Sequence, residues 1–272
     1  LASIDRQLAQ LRAERIRKDT NWQAGGLDLG MESQVLGKPL SEPWVCAGPI
    51  EVVAKAQSPF VHVHPPGTRG VRMGSGAKTD GIRYVFKEGL QASSGKKMYF
   101  NIDFRTAAGA DQKGAYRFYL GQGVVASLAI ECSITPEAFV IRNGTRWEVL
   151  RKLQTGKWYT LQITIDPVKK TYSGLVGAIG DLTEFAGKQV APNWNGIADC
   201  FICDATGHVA GPASERDIDN LGLQATPFPL PGSKPVLLRI ETPADRVRVA
   251  EIQAVQDSLK KRRKELSEQP VY

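Results

Sequence analysis

The stretch NGTRWEVLRKLQTGKWYTLQITID, residues 143–166, sets the period of the middle of the chain. It opens on Asn143-Gly144, the dipeptide that most strongly marks a tight hairpin, because it enters the positive-φ conformations such turns require. Further on, WYTLQITID places Leu161, Ile163 and Ile165 on one side of an extended chain and stops at Asp166-Pro167. Apolar residues at every second position suit a half-buried strand and not a helix.

The same alternation recurs outward from this stretch. MYFNIDFR (98–105) sets Phe100, Ile102 and Phe104 against Asn101, Asp103 and Arg105. AYRFYLG (115–121) sets Tyr116, Phe118 and Leu120 against Arg117 and Tyr119, and SLAIECSI (127–134) sets Leu128, Ile130 and Cys132 against Ala129 and Glu131. TYSGLVGAIG (171–180), CFIC (200–203) and IDNLGLQ (218–224) continue the series. Short strands with turn chemistry between them, and no long helical period interrupting, predict a mainly β fold: a two-sheet antiparallel sandwich.

The two ends read differently. LASIDRQLAQLRAERIRKD (1–19) carries Leu1, Ile4, Leu8 and Leu11 at helical 3-4-3 spacing, and Gly25-Gly26 close the segment. Near the other end Thr242 is a good N-cap, Pro243 suits the first helical position, and Ile252, Val255, Leu259 and Leu266 share a seam that Arg262 interrupts; Pro270 ends it. Neither seam can bury itself in a lone helix. The economical expectation is that the two helices pair as an antiparallel coiled coil; the alternative is that each packs separately on the β domain or on another partner. The division expected is an N-terminal helix (1–24), a β domain (25–240) and a C-terminal helix (241–272).

With 272 residues, 42% hydrophobic and 23% charged, the chain has the composition of a globular protein with a real core. It holds no apolar run of membrane-spanning length. It starts at Leu1 without a methionine and shows no signal peptide, so a fragment or processed product whose targeting signal has been lost is expected. The net charge of +7 is concentrated at the ends, in Arg12, Arg15, Arg17 and Lys18 and in Lys260, Lys261, Arg262, Arg263 and Lys264. These read as solvated helix faces, and no nucleic-acid motif accompanies them.

The run from Asn143 to Asp166, then TYSGLVGAIGDLTEF, then DIDNLGL resembles the concanavalin A-like, laminin G-type jelly roll, through Gly156, Trp158, Tyr159, Leu161, Ile163, Asp166, Ile218, Asp219 and Asn220. SPFVHVHPPGTRGVRM, NIDFRT, YRFYLGQG and the flanking helices are similar to a segment of large planctomycete surface proteins that also carry cytochrome-c-like domains, where the jelly roll is inserted between helices. This resemblance implies an exported parent and ligand binding, most often of glycans; some jelly rolls of this fold are glycoside hydrolases or polysaccharide lyases, so fold alone does not choose. It also implies a structural Ca²⁺ held in part by the closing-strand Asp219, although calcium needs six to eight oxygens.

DCFICDATGH (199–208) suggests a metal or redox centre and does not make one. Cys200 and Cys203 have opposite strand parity, a structural zinc site wants a second pair, and nothing reads as the helix start that a redox pair requires. Cys46 and Cys132 are isolated; four cysteines in an exported chain allow two disulfides, against which stands the core-facing parity of Cys132. His62 and His64 share a strand face, better read as a surface or edge strand than as a metal site. NGT (143–145) is a formal glycosylation sequon better explained as a turn. A glycosidase needs two carboxylates across a cleft, whereas Glu131 stands alone in its strand. A lyase set drawn from Tyr119, Arg117, His62 and His64 has no supporting spacing.

The outward parity is more informative. Asn101, Asp103, Arg105, Arg117, Tyr119, Glu131 and Arg142 all oppose apolar faces. As neighbours in one sheet they would form an arginine-rich ladder suited to the carboxylates or sulfates of an acidic polysaccharide; the alternative is a solvated face of cross-strand ion pairs. Trp44, Trp147 and Trp194 are candidate sugar platforms, Trp194 foremost because Pro and Asn-Gly flank it, while Trp158 is expected in the core or at a strand edge. The reading is a noncatalytic carbohydrate-binding or surface-interaction module of a larger exported protein, whose other domains are its partners. A polysaccharide lyase or hydrolase, or a structural spacer, are the alternatives.

Overall fold

The structure, a computed structural model, describes residues 4, 31–63, 67–91, 95–108, 114–123, 127–206, 213–232 and 243–268. The chain divides into two compact units, residues 24–235 and a unit of 1–23 with 236–272. In chain order the strands are β1 (Val45–Ala47), β2 (Ile50–Val53), β3 (Gly70–Met73), β4 (Gly81–Gln91), β5 (Met98–Thr106), β6 (Tyr116–Gln122), β7 (Ser127–Ile134), β8 (Ala138–Asn143), β9 (Arg146–Lys152), β10 (Tyr159–Asp166), β11 (Thr171–Ala178), β12 (Asp181–Gln189), β13 (Ile197–Asp204) and β14 (Arg216–Gln224). They form two antiparallel sheets of seven, ordered β1-β4-β13-β6-β7-β8-β9 and β12-β11-β10-β5-β14-β3-β2.

Alternation fills the space between the sheets as the sequence predicts. Phe100, Ile102 and Phe104 of β5 are buried against Phe118 and Leu120 of β6, Ile130 and Cys132 of β7, and Phe139 and Ile141 of β8. Phe104 sits at the centre. Its ring lies 5.4 Å from Phe118 in an edge-on contact, and 5.8 Å from both Phe139 and Tyr159 in stacked ones, geometries that aromatic quadrupoles favour. The deciding hairpin joins β8 to β9, but Asn143 pairs with Arg146, so the turn is Gly144-Thr145, one residue later than the dipeptide suggests. Gly144 takes φ 61°, which suits the first central position of such a turn. Asn143 is held in the strand by its side chain, whose amide donates to Glu148 Oε1 (2.6 Å) and whose carbonyl accepts from Gln189 N (2.7 Å).

One inward position of β14 is charged. Arg216 is fully buried. Its guanidinium donates to the carbonyls of Ser214 (3.0 Å) and Asp80 (2.8 Å) and to Cys203 Sγ (3.4 Å), and lies 5.3 Å from the Tyr116 ring centroid. No carboxylate bonds it among the described residues. The segment around a 3-10 turn at Ala54–Ala56 crosses the outer face of the second sheet, where Lys55 O accepts from Arg105 and Ser58 bonds to β5 and β14.

In the other unit, helix α1 runs from Pro243 to Ser267, beginning at the proline expected to start it. Its buried stripe is Ile252 and Gln256, while Val255 and Leu266 are exposed, so the seam runs differently from the apolar pattern. The N-terminal helix, Ile4 apart, and with it the coiled-coil pairing, lies outside the described residues.

Replacing Arg216 by Met is expected to lower the free energy of unfolding by about 2–4 kcal/mol, because the buried carbonyls of Ser214 and Asp80 lose their donor. Urea unfolding checks this; an unchanged midpoint would show that the guanidinium does not tie the sheets.

Candidate functional site

The outer face of the first sheet carries one transverse row. Tyr119 on β6 pairs with Glu131 on β7, and Arg142 on β8 pairs with Trp147 on β9. Glu131 is 3% exposed and accepts from two arginines: Arg117 Nη1 reaches Oε1, and Arg142 Nη1 reaches Oε2 at 2.7 Å. The Arg117 guanidinium also lies 5.0 Å from the centroid of the Trp147 ring, which is 42% exposed. Alternation produces this cluster locally, since inward Cys132 and Ile141 force Glu131 and Arg142 outward. A carboxylate this deeply buried needs both cations, and the trio keeps one surplus positive charge beside an exposed indole.

Four predicted site residues, Asp103, Arg105, Tyr119 and Trp194, are not ligand-facing members of this row. Asp103 and Arg105 are on β5, which pairs with β10 and β14 in the other sheet. The single ladder therefore splits in two, because strand parity says which way a residue faces and not which sheet receives it. Arg105 is tied to Asp217, which also accepts from Arg72 at 2.8 and 3.0 Å, and it lies 5.0 Å from the Trp158 ring centroid. Tyr119 is 3% exposed, packed with Leu128, Ala191, Cys200 and Ile202, and its hydroxyl donates to Thr206 O; it is not presented to a ligand. Trp194 is half-buried against the core, with Nε1 donating to Ile197 O at 2.8 Å. It still lines a hollow of about 500 Å³ with Asn143, Arg146, Lys170 and Gln189. Trp44 is buried against Tyr84, 4.7 Å between centroids.

The cysteines are all free thiols, and Cys200 and Cys203 face opposite sides of β13, one in the small outer cluster and one in the core. His64 and His208 lie outside the described residues. His62 is not a surface residue: it belongs to the segment crossing the second sheet, is 1% exposed, and burial lowers its pKa to about 4.

The same crossing segment covers Asp103 and Asp219, which oppose each other across β5 and β14. Ser58 bridges them, its N–H donating to Asp219 Oδ2 and its hydroxyl to Asp103 Oδ2, both at 2.8 Å. Asn220 donates from its backbone to Asp219 Oδ1 (2.8 Å) and from its amide to Asp103 Oδ2 (2.6 Å). The set does not fit calcium. Both oxygens of Asp219 already accept from backbone N–H groups and Asp103 Oδ2 accepts from the Ser58 hydroxyl and the Asn220 amide, and no group of three His, Cys, Asp or Glu suited to a metal occurs among the described residues.

Two comparisons by sequence find nothing: no family model matches and no curated protein matches. Solved structures that the chain is similar to include a sialidase (13% identity, TM-score 0.47, 67% of this chain), of whose length the chain spans 17%. A carbohydrate esterase of the Shiga toxin-encoding bacteriophage phi24B is 18% identical, with TM-score 0.44 over 67% of this chain and 90% of that one. The catalytic domain of a glycoside hydrolase family 131 protein from Coprinopsis cinerea is 8% identical, with TM-score 0.45 over 71% and 85%. These are distant likenesses, and the activities they name belong to those proteins.

Burial raises the Asp103 pKa to about 6 against the donors around it, and burial together with the Asp103 charge pushes Asp219 upward. An acid whose folded pKa is raised is stabilising while protonated. Its contribution is therefore full below the unfolded value near 4 and is lost as pH rises through about 6. Asp103→Asn, which keeps an acceptor for Ser58, should flatten the fall in stability between mildly acidic and neutral pH. Parallel denaturation profiles for the two proteins would count against the buried acid pair.

Proposed function

We propose that this chain is a noncatalytic carbohydrate-binding module of a larger exported protein, taking an acidic saccharide on the Arg117–Arg142–Trp147 face of the first sheet. The observation that carries the reading is that two guanidinium groups are held on one buried carboxylate beside an exposed indole. Fixing an arginine before the ligand arrives removes much of the ordering cost of binding. Arg142 is one-third exposed and spends a single Nη on Glu131, which leaves its other Nη for a carboxylate or sulfate. Trp147 offers an aromatic surface for the apolar face of a sugar ring.

A noncatalytic role suits the state of the carboxylates. Glu131 is buried and committed to two cations, and Asp103 and Asp219 are sealed from solvent. Acid–base work on a glycosidic bond needs a carboxyl that reaches the substrate. The planctomycete surface-protein setting belongs to the same proposal, on the strength of the sequence resemblance alone.

A glycan array that includes uronic-acid and sulfated polymers tests this. Binding to acidic polymers is expected, weakening as salt rises. It should fall roughly tenfold in Arg142→Ala, in proportion to one lost charge-assisted contact, while Arg142→Lys falls less. EDTA should leave it unchanged. Absence of binding to every acidic polymer would overturn the proposal.

A further inference from the structure

The outer face of the second sheet carries a groove of about 470 Å³, within the usual range for small-molecule sites. Its floor is two cross-strand rows. Tyr99, Thr164 and Ser173 are register partners on β5, β10 and β11, and Gln162, Leu175 and Glu184 are register partners on β10, β11 and β12. One wall is the segment 227–230, fixed over the sheet by Gln162 Nε2 donating to Pro229 O at 2.8 Å. At the floor β11 bulges between Tyr172 and Gly174. A Cβ on Gly174 would stand 2.0 Å from Gln162 O and 2.8 Å from the Phe185 ring. Only glycine permits this close approach, and bulges of this kind re-aim side chains beside sites.

The groove holds hydrogen-bonding capacity that a solute can reach. In the Asp103–Asp219 cluster the atoms without a partner, such as Asp103 Oδ1, are buried. By contrast, the Tyr99, Thr164 and Ser173 hydroxyls and the Glu184 carboxylate have no hydrogen-bond or ion-pair partner among the described residues, although each is half-buried or exposed. They lie beside apolar Leu175 and Leu230. From this we infer that the groove is a second binding site, for an uncharged or amine-bearing saccharide. Donor–acceptor hydroxyls spaced at the strand separation, next to a tyrosine ring and aliphatic walls, match a polyhydroxylated ring with an apolar face. Glu184, with no cation in the lining, disfavours anions and leaves a partner for an amine. An extended peptide gains most from a free strand edge; the hydroxyl row lies on β5, β10 and β11, each paired on both sides, and only β12, which carries Glu184, is an edge strand.

This site uses the other sheet from the acidic-saccharide face and stands whether or not that face binds anything. The test is a protein-observed NMR titration of the full chain with cellotriose and with glucosamine dimer, up to about 20 mM each. Shifts confined to β10, β11, β12 and residues 227–230 are expected for at least one sugar. Ser173→Ala and Thr164→Val should weaken that binding roughly fivefold each, as for one lost hydrogen bond, whereas Arg142→Ala should leave it unchanged. Glu184→Gln should weaken the amino sugar more than the neutral one. No shifts with either sugar, or shifts confined to the face around Trp147, would overturn the inference.

Discussion

Arg216 is the residue around which the end of the sandwich is organised. A guanidinium removed from water must have its donors met, and here main-chain carbonyls, a thiol and an aromatic face meet them in place of a carboxylate. Those partners lie on the loop before β4, on β6 and β13 of the first sheet, and beside β14 of the second. Satisfying one side chain therefore sets how the two sheets meet, and it fixes the carbonyls of Ser214 and Asp80 as firmly as it fixes the arginine. Phe104 and its surrounding rings supply the apolar bulk, while Arg216 supplies a directional constraint that ring packing lacks.

The same economy recurs on the outer faces. Glu131 is buried with two arginines, Asp217 with Arg72 and Arg105, and Asp103 and Asp219 with Ser58 and Asn220. The first cluster leaves the Arg142 guanidinium one-third exposed at the surface. The last is covered over and turns its chemistry inward, toward pH-dependent stability. The groove over β10 to β12 is the contrast, a surface where Tyr99, Thr164, Ser173 and Glu184 have no side-chain partner among the described residues. The two faces thus differ in the charge they present.

Much of this was legible in the residues. Alternation assigned inward and outward positions correctly along β5, β6 and β10, and opposite parity separated Cys200 from Cys203; on β7 it failed at the start of the strand, where a register shift opposite Leu120-Gly121 puts Ala129 in the core and Leu128 in the outer cluster with Tyr119. Arg216 was readable in principle, since it shares parity with Ile218, but reading the closing strand from Ile218 onward hid it. Asp103 was correctly turned outward and wrongly given to solvent, because Ser58 and His62 belong to a segment with no strand period to announce it. Tyr119 failed for a similar reason: its cover, including Ala191, comes from elsewhere in the chain.

By itself the sequence determined the β class, the approximate strands, the deciding hairpin to within one residue, the start of α1 and, away from bulges, the face a strand side chain takes. These follow from local geometry, for successive residues of a strand must point to opposite sides. Only the tertiary structure decided that β5 lies in a different sheet from β6, that a crossing segment buries two aspartates against each other, and that one groove keeps its hydroxyls unpaired. Those outcomes depend on crossovers and on contacts between residues more than a hundred positions apart, such as Ser58 with Asp219, and no local period encodes them.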